Sequence, residues 1–438
     1  MIVDVRLGRL TLQRLIRCED CCVADITNHP RVRLFASDSS VGAYAIRDYL
    51  TRSVVDFDWV RPESAEFSAV LDGVKDDLPV VQFPDGDRLI APNLEQIADK
   101  LGWVTKPRRK EYDLSIYGAG PAGLSAAVYA ASEGLSVVLV EKEAVGGQAG
   151  SSSLIENYLG FPSGIRGAEL AERARQQAVE FGAELLLMRE GIKGEFRDGR
   201  IRGDLADGTE LVARANICAT GVDWRRLGLP RESEFLGRGF YYGAGTSEAS
   251  QCVGEEVFVV GGANSAGQAA LNLSATAAHV TMLVRGPQLA DTMSAYLTSR
   301  IAQAPNITVR TSSEITALEG DGRIRAIDIR DSARGTEDSI PASRVFVCIG
   351  GSPDTEWTRG TGIVRDRLGY LVTGPDLLPQ GKLPGWTLDR DPFYLETSVP
   401  GSFAAGDVRH NSVKRVASAV GEGAMAVTFV HHYLKESS

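Results

Sequence analysis

Cysteine and basic charge are scarce in this 438-residue chain, and long apolar runs are missing altogether. No stretch approaches the ~18 uninterrupted apolar residues of a membrane-spanning helix. The opening MIVDVRLGRLTLQRL is too charged for a signal peptide. A cytoplasmic protein with no membrane partner is the expectation. Basic residues number 47 against 57 acidic ones, a net charge of −10, and no basic stripe interrupts that balance. A nucleic-acid partner is therefore disfavoured. Six cysteines spread over this length make no disulfide framework.

Glycine, by contrast, is abundant at 47 residues, above the usual ~7%, which points to tight turns and close backbone approaches to a ligand. Hydrophobic residues at 43% and charged ones at 24% are ordinary for a globular chain. At ~100–200 residues per domain, the length predicts two to four domains.

Three of the six cysteines fall in RCEDCC, where Cys18 and Cys21 form a C-x-x-C followed by Cys22. Acidic neighbours Glu19 and Asp20 raise a thiol pKa rather than lower it. A zinc site would need two more ligands, and Cys22 with His29 gives an atypical spacing. Inert thiols are favoured over a redox pair, and a redox pair over a metal site; no metal is expected. Residues 1–30 read as an extension whose helical period around Leu10, Leu12 and Leu15 is lost near Pro30.

Residues 31–106 read as strand VRLFAS, helix DSSVGAYAIRDYL, strand VVDFDWV, a strand pair about the D-G of LPVVQFPDG, and a closing helix NLEQIADKLGW capped by Asn93. This order resembles the thioredoxin fold in its glutaredoxin-like form, with Pro79 where that family carries a cis-proline. The place of that family's cysteines is taken by Asp38-Ser39-Ser40-Val41. Docking or scaffolding is favoured over dithiol chemistry for this unit.

From Tyr112 a strand runs into Gly118-Ala119-Gly120-Pro121-Ala122-Gly123, then a helix, then a strand ending at Glu141 and Lys142. Glycines at these spacings permit the tight turn and the approach of a pyrophosphate, the helix N-terminus faces its charge, and the acid can hold a ribose hydroxyl. A second copy reads Gly261-Gly262-Ala263-Asn264-Ser265-Ala266, with Arg285 ending its second strand where the first copy has Glu141. An arginine there suits a 2′-phosphate and favours NADP over NAD. Two such units in one chain predict two nucleotide ligands.

Further motifs follow in order: Gly146-Gly147-Gln148, IENYLGFP with Asn157, Ala219-Thr220-Gly221, and a C-terminal stretch holding Gly406-Asp407 and Lys414-Arg415-Val416-Ala417. Together, across residues 112–435, they resemble the thioredoxin reductase-like branch of the flavoprotein reductases. The resemblance implies an α/β fold of two dinucleotide-binding Rossmann-like domains, with an FAD domain over 111–232 and 344–438 and an NAD(P) domain inserted at 233–343. Added to these is the thioredoxin-like domain over 31–106. FAD and NADP (or NAD) are the implied cofactors, Asp407 the acid on the ribityl chain, Lys414 to Ala417 the helix start near the flavin, and a homodimer the implied assembly.

That branch carries C-A-T-C-D before its second fingerprint, where this chain reads Ala244-Gly245-Thr246-Ser247-Glu248. Serine can be neither partner in disulfide exchange. Ser247, Glu248 as a proton-transfer group, and Tyr242 beside the flavin with Tyr241 are the candidate catalytic residues. The expected activity is FAD-dependent transfer between NAD(P)H and a non-disulfide redox acceptor or small-molecule substrate. Oxidation of a small metabolite, and a flavin-bearing sensor or scaffold without turnover, are the alternatives.

Overall fold

The computed structural model describes residues 31–37, 40–64, 66–67, 79–197, 199–243, 252–378, 381 and 383–437. The N-terminal extension with Cys18, Cys21 and Cys22, the Asp38-Ser39 pair, and Ser247 with Glu248 all lie outside these residues, as does residue 78, so the peptide bond before Pro79 does too.

The N-terminal unit runs β1 (Val32–Phe35), α1 (Val41–Arg52), β2 (Phe57–Val60), β3 (Val80–Gln82), β4 (Arg88–Ile90) and α2 (Leu94–Lys100). Its strands lie in the order β2-β1-β3-β4, with β1 and β2 parallel and the other pairs antiparallel. Local chemistry sets the boundaries. The Ser40 hydroxyl accepts the Ala43 N–H at 3.3 Å and starts α1, while Asn93 and Gln96 form a reciprocal capping box that starts α2. Gly86, at φ +91°, turns β3 into β4 beside an Asp85 carboxylate that accepts the Asp87 N–H. Leu34, Ile46, Leu50, Val81 and Ile97 fill the space between sheet and helices.

The first nucleotide unit is built on β5 (Tyr112–Tyr117), α3 (Pro121–Ser132), β6 (Val137–Glu141), α4 (Gly167–Glu180), β7 (Glu184–Leu187), β8 (Gly191–Arg197), β9 (Arg200–Leu205) and β10 (Glu210–Cys218). Strands β7, β6, β5 and β10 run parallel, and β9 and β8 extend the sheet antiparallel. After the short β11 (Asp223–Trp224) comes the second unit: β12 (Phe240–Tyr242), β13 (Glu256–Val260), α5 (Asn264–Ser274), β14 (His279–Leu283), α6 (Ala295–Gln303) and β15 (Ile307–Arg310). It continues through β16 (Ser313–Gly320), β17 (Ile324–Asp331), β18 (Thr336–Pro341) and β19 (Arg344–Val347). Its parallel sheet has the order β12-β19-β13-β14-β15, and β16-β17-β18 form a separate antiparallel sheet.

The chain then returns to the first unit. β20 (Gly351–Ser352) pairs with β11, β21 (Ser402–Ala404) adds beside β10, and α7 (Val416–Glu436) packs along α3. One dinucleotide-binding fold is thus inserted into another. The second sheet reaches Val347, past residue 343 where the resemblance ends the inserted domain, because β19 is a central strand of that sheet. The buried face of α3 is mostly alanine and glycine, which lets α7 come close: a Cβ on Gly423 would stand 2.1 Å from the Ala122 carbonyl oxygen.

Candidate functional site

The loop between β5 and α3 is the point on which the separate glycine motifs converge. Gly118, at φ +103°, lies so close to the strand end at 219–220 that an added Cβ would meet the Ala219 oxygen at 2.4 Å. Gly123 closes the turn against the Gly118 oxygen, where a Cβ would sit at 1.8 Å. Gly147 faces the Gly120 Cα, and Gly406 faces the Ala122 side chain, where added Cβ atoms would meet at 3.2 and 2.9 Å. The residues named from sequence at Gly118, Gly120, Pro121, Ala122, Gly123, Gly147, Thr220, Gly221 and Gly406 therefore gather around one backbone cradle, with Pro121 at the first turn of α3. Phosphate binding needs this shape, because only bare backbone leaves room for a pyrophosphate over a helix N-terminus.

Glu141 ends β6 beside that cradle. Its carboxylate accepts the Ala119 N–H at 2.7 Å and the Glu143 N–H at 2.9 Å, which aims it at the loop. Burial lifts its carboxyl above the ordinary value, opposed by those two amides and by the Arg52 charge. A cavity of about 100 Å³ opens next to it, lined by Tyr117, Gly118, Glu141, Lys142, Asn216 and Thr220 among others. The Thr220 hydroxyl and the Asn216 amide oxygen are buried there without a protein partner. Unsatisfied groups of this kind cost about 1–3 kcal/mol each unless a ligand or water meets them. Together with the carboxylate and the cradle they fit the adenosine and pyrophosphate of FAD.

Sequence reasoning missed Tyr117, Asn216 and the Arg189-Glu190-Gly191 edge of this cavity. The available signal was glycine: Gly191 and Gly203 leave the room that the Tyr117 ring fills, since a Cβ on Gly203 would meet its hydroxyl at 1.9 Å. Lys142, half-exposed, pairs with Asp223 at 3.4 Å and Asp354 at 3.8 Å and closes the cavity's rim.

At the other end, Asp407 is held by Lys414, whose ammonium donates to the Asp407 carbonyl at 2.6 Å and lies 4.4 Å from the Tyr370 ring centre. Burial raises the Asp407 carboxyl, opposed by the Lys414 charge, and burial lowers Lys414 in turn. Glu422 on α7 accepts the Gly406 N–H at 2.7 Å and binds Arg409, so the start of α7 at Val416 and Ala417, capped by the exposed Arg415, is locked to this strand end. Gln148 donates to the Val222 carbonyl at 2.7 Å. Asn157 is exposed, and its neighbour Glu156 pairs with Arg300 of α6 at 2.7 Å, an ion pair between the two nucleotide units.

The second loop repeats the first with its own adjustments. Gly261 sits at φ +142°, where a Cβ would meet the Cys348 oxygen at 2.3 Å, and Gly262 packs toward Val284. Asn264 spends its side-chain oxygen on the Ser294 N–H at 2.8 Å, which joins α5 to α6. Ala266 is buried against Gly261. Ser265 lines a cavity of about 40 Å³ with Gln268 and Cys348, facing Gln148, Ser151 and Trp224 of the first unit.

One expectation changes. Tyr117 pairs with Val140 and Val260 with Leu283, so the strand register puts Val284, not Arg285, where the first copy has Glu141. Arg285 is the counterpart of Lys142, one residue further out and exposed. Tyr242 is held by contacts within its own unit. Its hydroxyl accepts the Leu227 N–H at 2.6 Å, the Arg226 guanidinium lies 4.5 Å from its ring centre, and its ring meets Phe240 edge-on. Tyr241 likewise stacks on Phe346 and bonds Arg344 and the Gly239 N–H. Both tyrosines brace strands, which one β-strand with alternating aromatic faces does not reveal from sequence.

No group of three or more His, Cys, Asp and Glu among the described residues has the arrangement of a metal site, and no helix among them is long and apolar enough to cross a membrane. The profile of the pyridine nucleotide-disulphide oxidoreductases matches residues 112–423. Thioredoxin reductase of Treponema pallidum (strain Nichols) is 34% identical over 326 residues, 74% of this chain and 97% of its own. An NADH dehydrogenase of Bacillus subtilis (strain 168) is 31% identical over 346 residues, 78% of this chain and 63% of its own. The crystal structure of thioredoxin reductase from T. acidophilum superposes with a TM-score of 0.66 at 31% identity, over 75% of this chain and all of that one. Two interleaved nucleotide folds and a cradle shaped for FAD are thus what sequence kinship independently calls for: the chain belongs to the pyridine nucleotide-disulphide oxidoreductase family, flavoenzymes that work with FAD and NADPH or NADH.

Proposed function

We propose that this protein is an NAD(P)H-linked FAD oxidoreductase that passes electrons to a small-molecule or protein acceptor without a cysteine pair at residues 244–248. The observation that carries this reading is the distribution of sulfur. Between Cys218 and Cys252 the chain has no cysteine, and residues 244–248 read Ala-Gly-Thr-Ser-Glu. Cys218, Cys252 and Cys348 are buried and form no disulfide. Burial pushes the Cys218 and Cys348 thiols up to about 12, far from the thiolate that disulfide exchange requires.

FAD, when bound, supplies exchange of a hydride with the nicotinamide and onward release of two electrons. The chain's own residues hold and shield it: the Gly118 to Gly123 backbone takes the pyrophosphate, Glu141 the ribose, Asp407 and the start of α7 the far end. Glu248 is the proposed proton donor on the acceptor side, and Arg285, reaching from the edge of the second loop, the proposed contact for a 2′-phosphate.

Anaerobic reduction of the holoenzyme by NADPH and by NADH, followed by a panel of acceptors, tests the reading. Flavin bleaching followed by reoxidation with quinone-type or other non-disulfide acceptors is expected, and thioredoxin-dependent reduction of a disulfide dye should not exceed the enzyme-free rate. Brisk thioredoxin reduction would sink the proposal. Arg285→Ala should erode any preference for NADPH in kcat/KM, and an unchanged preference removes its role.

A further inference from the structure

The N-terminal unit reaches the neighbourhood of the FAD cradle at two described points, Glu95 of α2, which pairs with Arg189 at 2.9 Å, and Arg52 of α1. Arg52, the last residue of α1, leaves its own unit and reaches the segment that follows β6. Its guanidinium pairs with Glu143 at 3.3 Å and approaches the carbonyl oxygens of Ala144 and Gly147, both at 3.5 Å, while Asp48 one turn back on α1 holds it at 3.4 Å. Its side chain is only 15% exposed, and its Nε is buried without a protein partner. Ala144 packs into the core of the N-terminal unit, so the contact is a real junction and not a surface brush.

The segment being gripped is the one the cofactor needs. It begins at Glu141, includes Gly147, which lies against Gly120, and its Glu143 amide is one of the two donors aiming the Glu141 carboxylate. Glycines at 146 and 147, at φ +103° and +53°, give this stretch little stiffness of its own. A planar guanidinium with five donors is suited to fixing several carbonyls at once.

We propose that Arg52 is a positioning residue for FAD: the N-terminal unit reaches across and holds the Glu141–Gly147 segment in its cofactor-binding shape. It acts through the loop and touches no reacting atom. The Arg52 charge also opposes the burial that lifts the Glu141 carboxyl. On this reading the N-terminal unit is a built-in part of the flavin site, although it has no cysteine at the start of α1.

Release of FAD from diluted holoenzyme, followed by the rise of flavin fluorescence, is the experiment. Arg52→Met should speed release about tenfold, the equivalent of about 1.4 kcal/mol, with Arg52→Lys recovering most of the loss. Arg33→Met, which breaks an ion pair with Glu66 inside the same unit, should release FAD at the wild-type rate. Wild-type release from Arg52→Met overturns the proposal. So does equal acceleration by all three substitutions, which would report general loosening of the N-terminal unit.

Discussion

Glu141 shows how one residue couples cofactor to stability. Burial holds its carboxyl above the ordinary range, with the Ala119 and Glu143 amides and Arg52 pulling it back. The folded chain therefore keeps a proton on Glu141 to higher pH than the unfolded chain. Stability contributed by this group falls as pH rises from the ordinary glutamate range through the raised value. Glu141→Gln should flatten that decline in the melting temperature of the FAD-free protein and weaken FAD binding about tenfold, since the amide puts an NH2 donor where the second carboxylate oxygen accepts. Superposable pH profiles for variant and wild type would contradict this. Glu141 was legible in the sequence because an acid at the end of the second strand has few other reasons to be there. Arg285 was misplaced by one position, because residue counting along an apolar strand cannot see where the sheet pairing ends. Only the Val260 and Leu283 pairing fixes Val284 as the counterpart.

Among the elements, the loop leading into α3 is one of those with no room for a side chain. A methyl on Gly123 would meet the Gly118 carbonyl oxygen at 1.8 Å, and that oxygen belongs to a turn with no room to retreat. Gly123→Ala should leave no flavin bound after purification and cost about 3 kcal/mol or more. Gly134→Ala, which also changes a glycine near α3 but meets nothing within 4 Å, sits at φ +89° and should cost only local strain while retaining the yellow chromophore. Equal flavin content in both variants would refute the close-approach argument. The glycines at 118 and 123 stood out in the sequence because each has a backbone reason, a close approach that the fold shows. Strand β19 did not, because RVFV is a short apolar run whose partners lie more than 80 residues away, and nothing local assigns it to one sheet over another.

For the whole molecule, the N-terminal unit is docked at both ends of α1. Arg52 binds the first nucleotide unit, and Tyr44 packs 5.4 Å from the Tyr241 ring centre and against Gly237 of the second. Tyr44→Ala should loosen this second anchor by about 1 kcal/mol and speed limited trypsin cleavage in the basic connector Lys106 to Lys110. An unchanged cleavage rate would show that the contact restrains nothing. That the described residues of this unit hold a four-stranded sheet with α1 and α2 was readable from period and turn residues. Its docking was not, because the contacts join surfaces that look like ordinary helix faces until the three units are brought together.

The convergence on the Gly118 to Gly123 loop also sets an order of events during synthesis. Its walls come from residues near 147 and 219, and from 406 and 423, with a complete nucleotide fold threaded between the second and third of these. A chain emerging from the ribosome has its phosphate turn nearly 300 residues before the C-terminal wall that completes the site. The inserted fold can close on its own while the first remains open, so the cradle is complete only once residues 406 and 423 have been made.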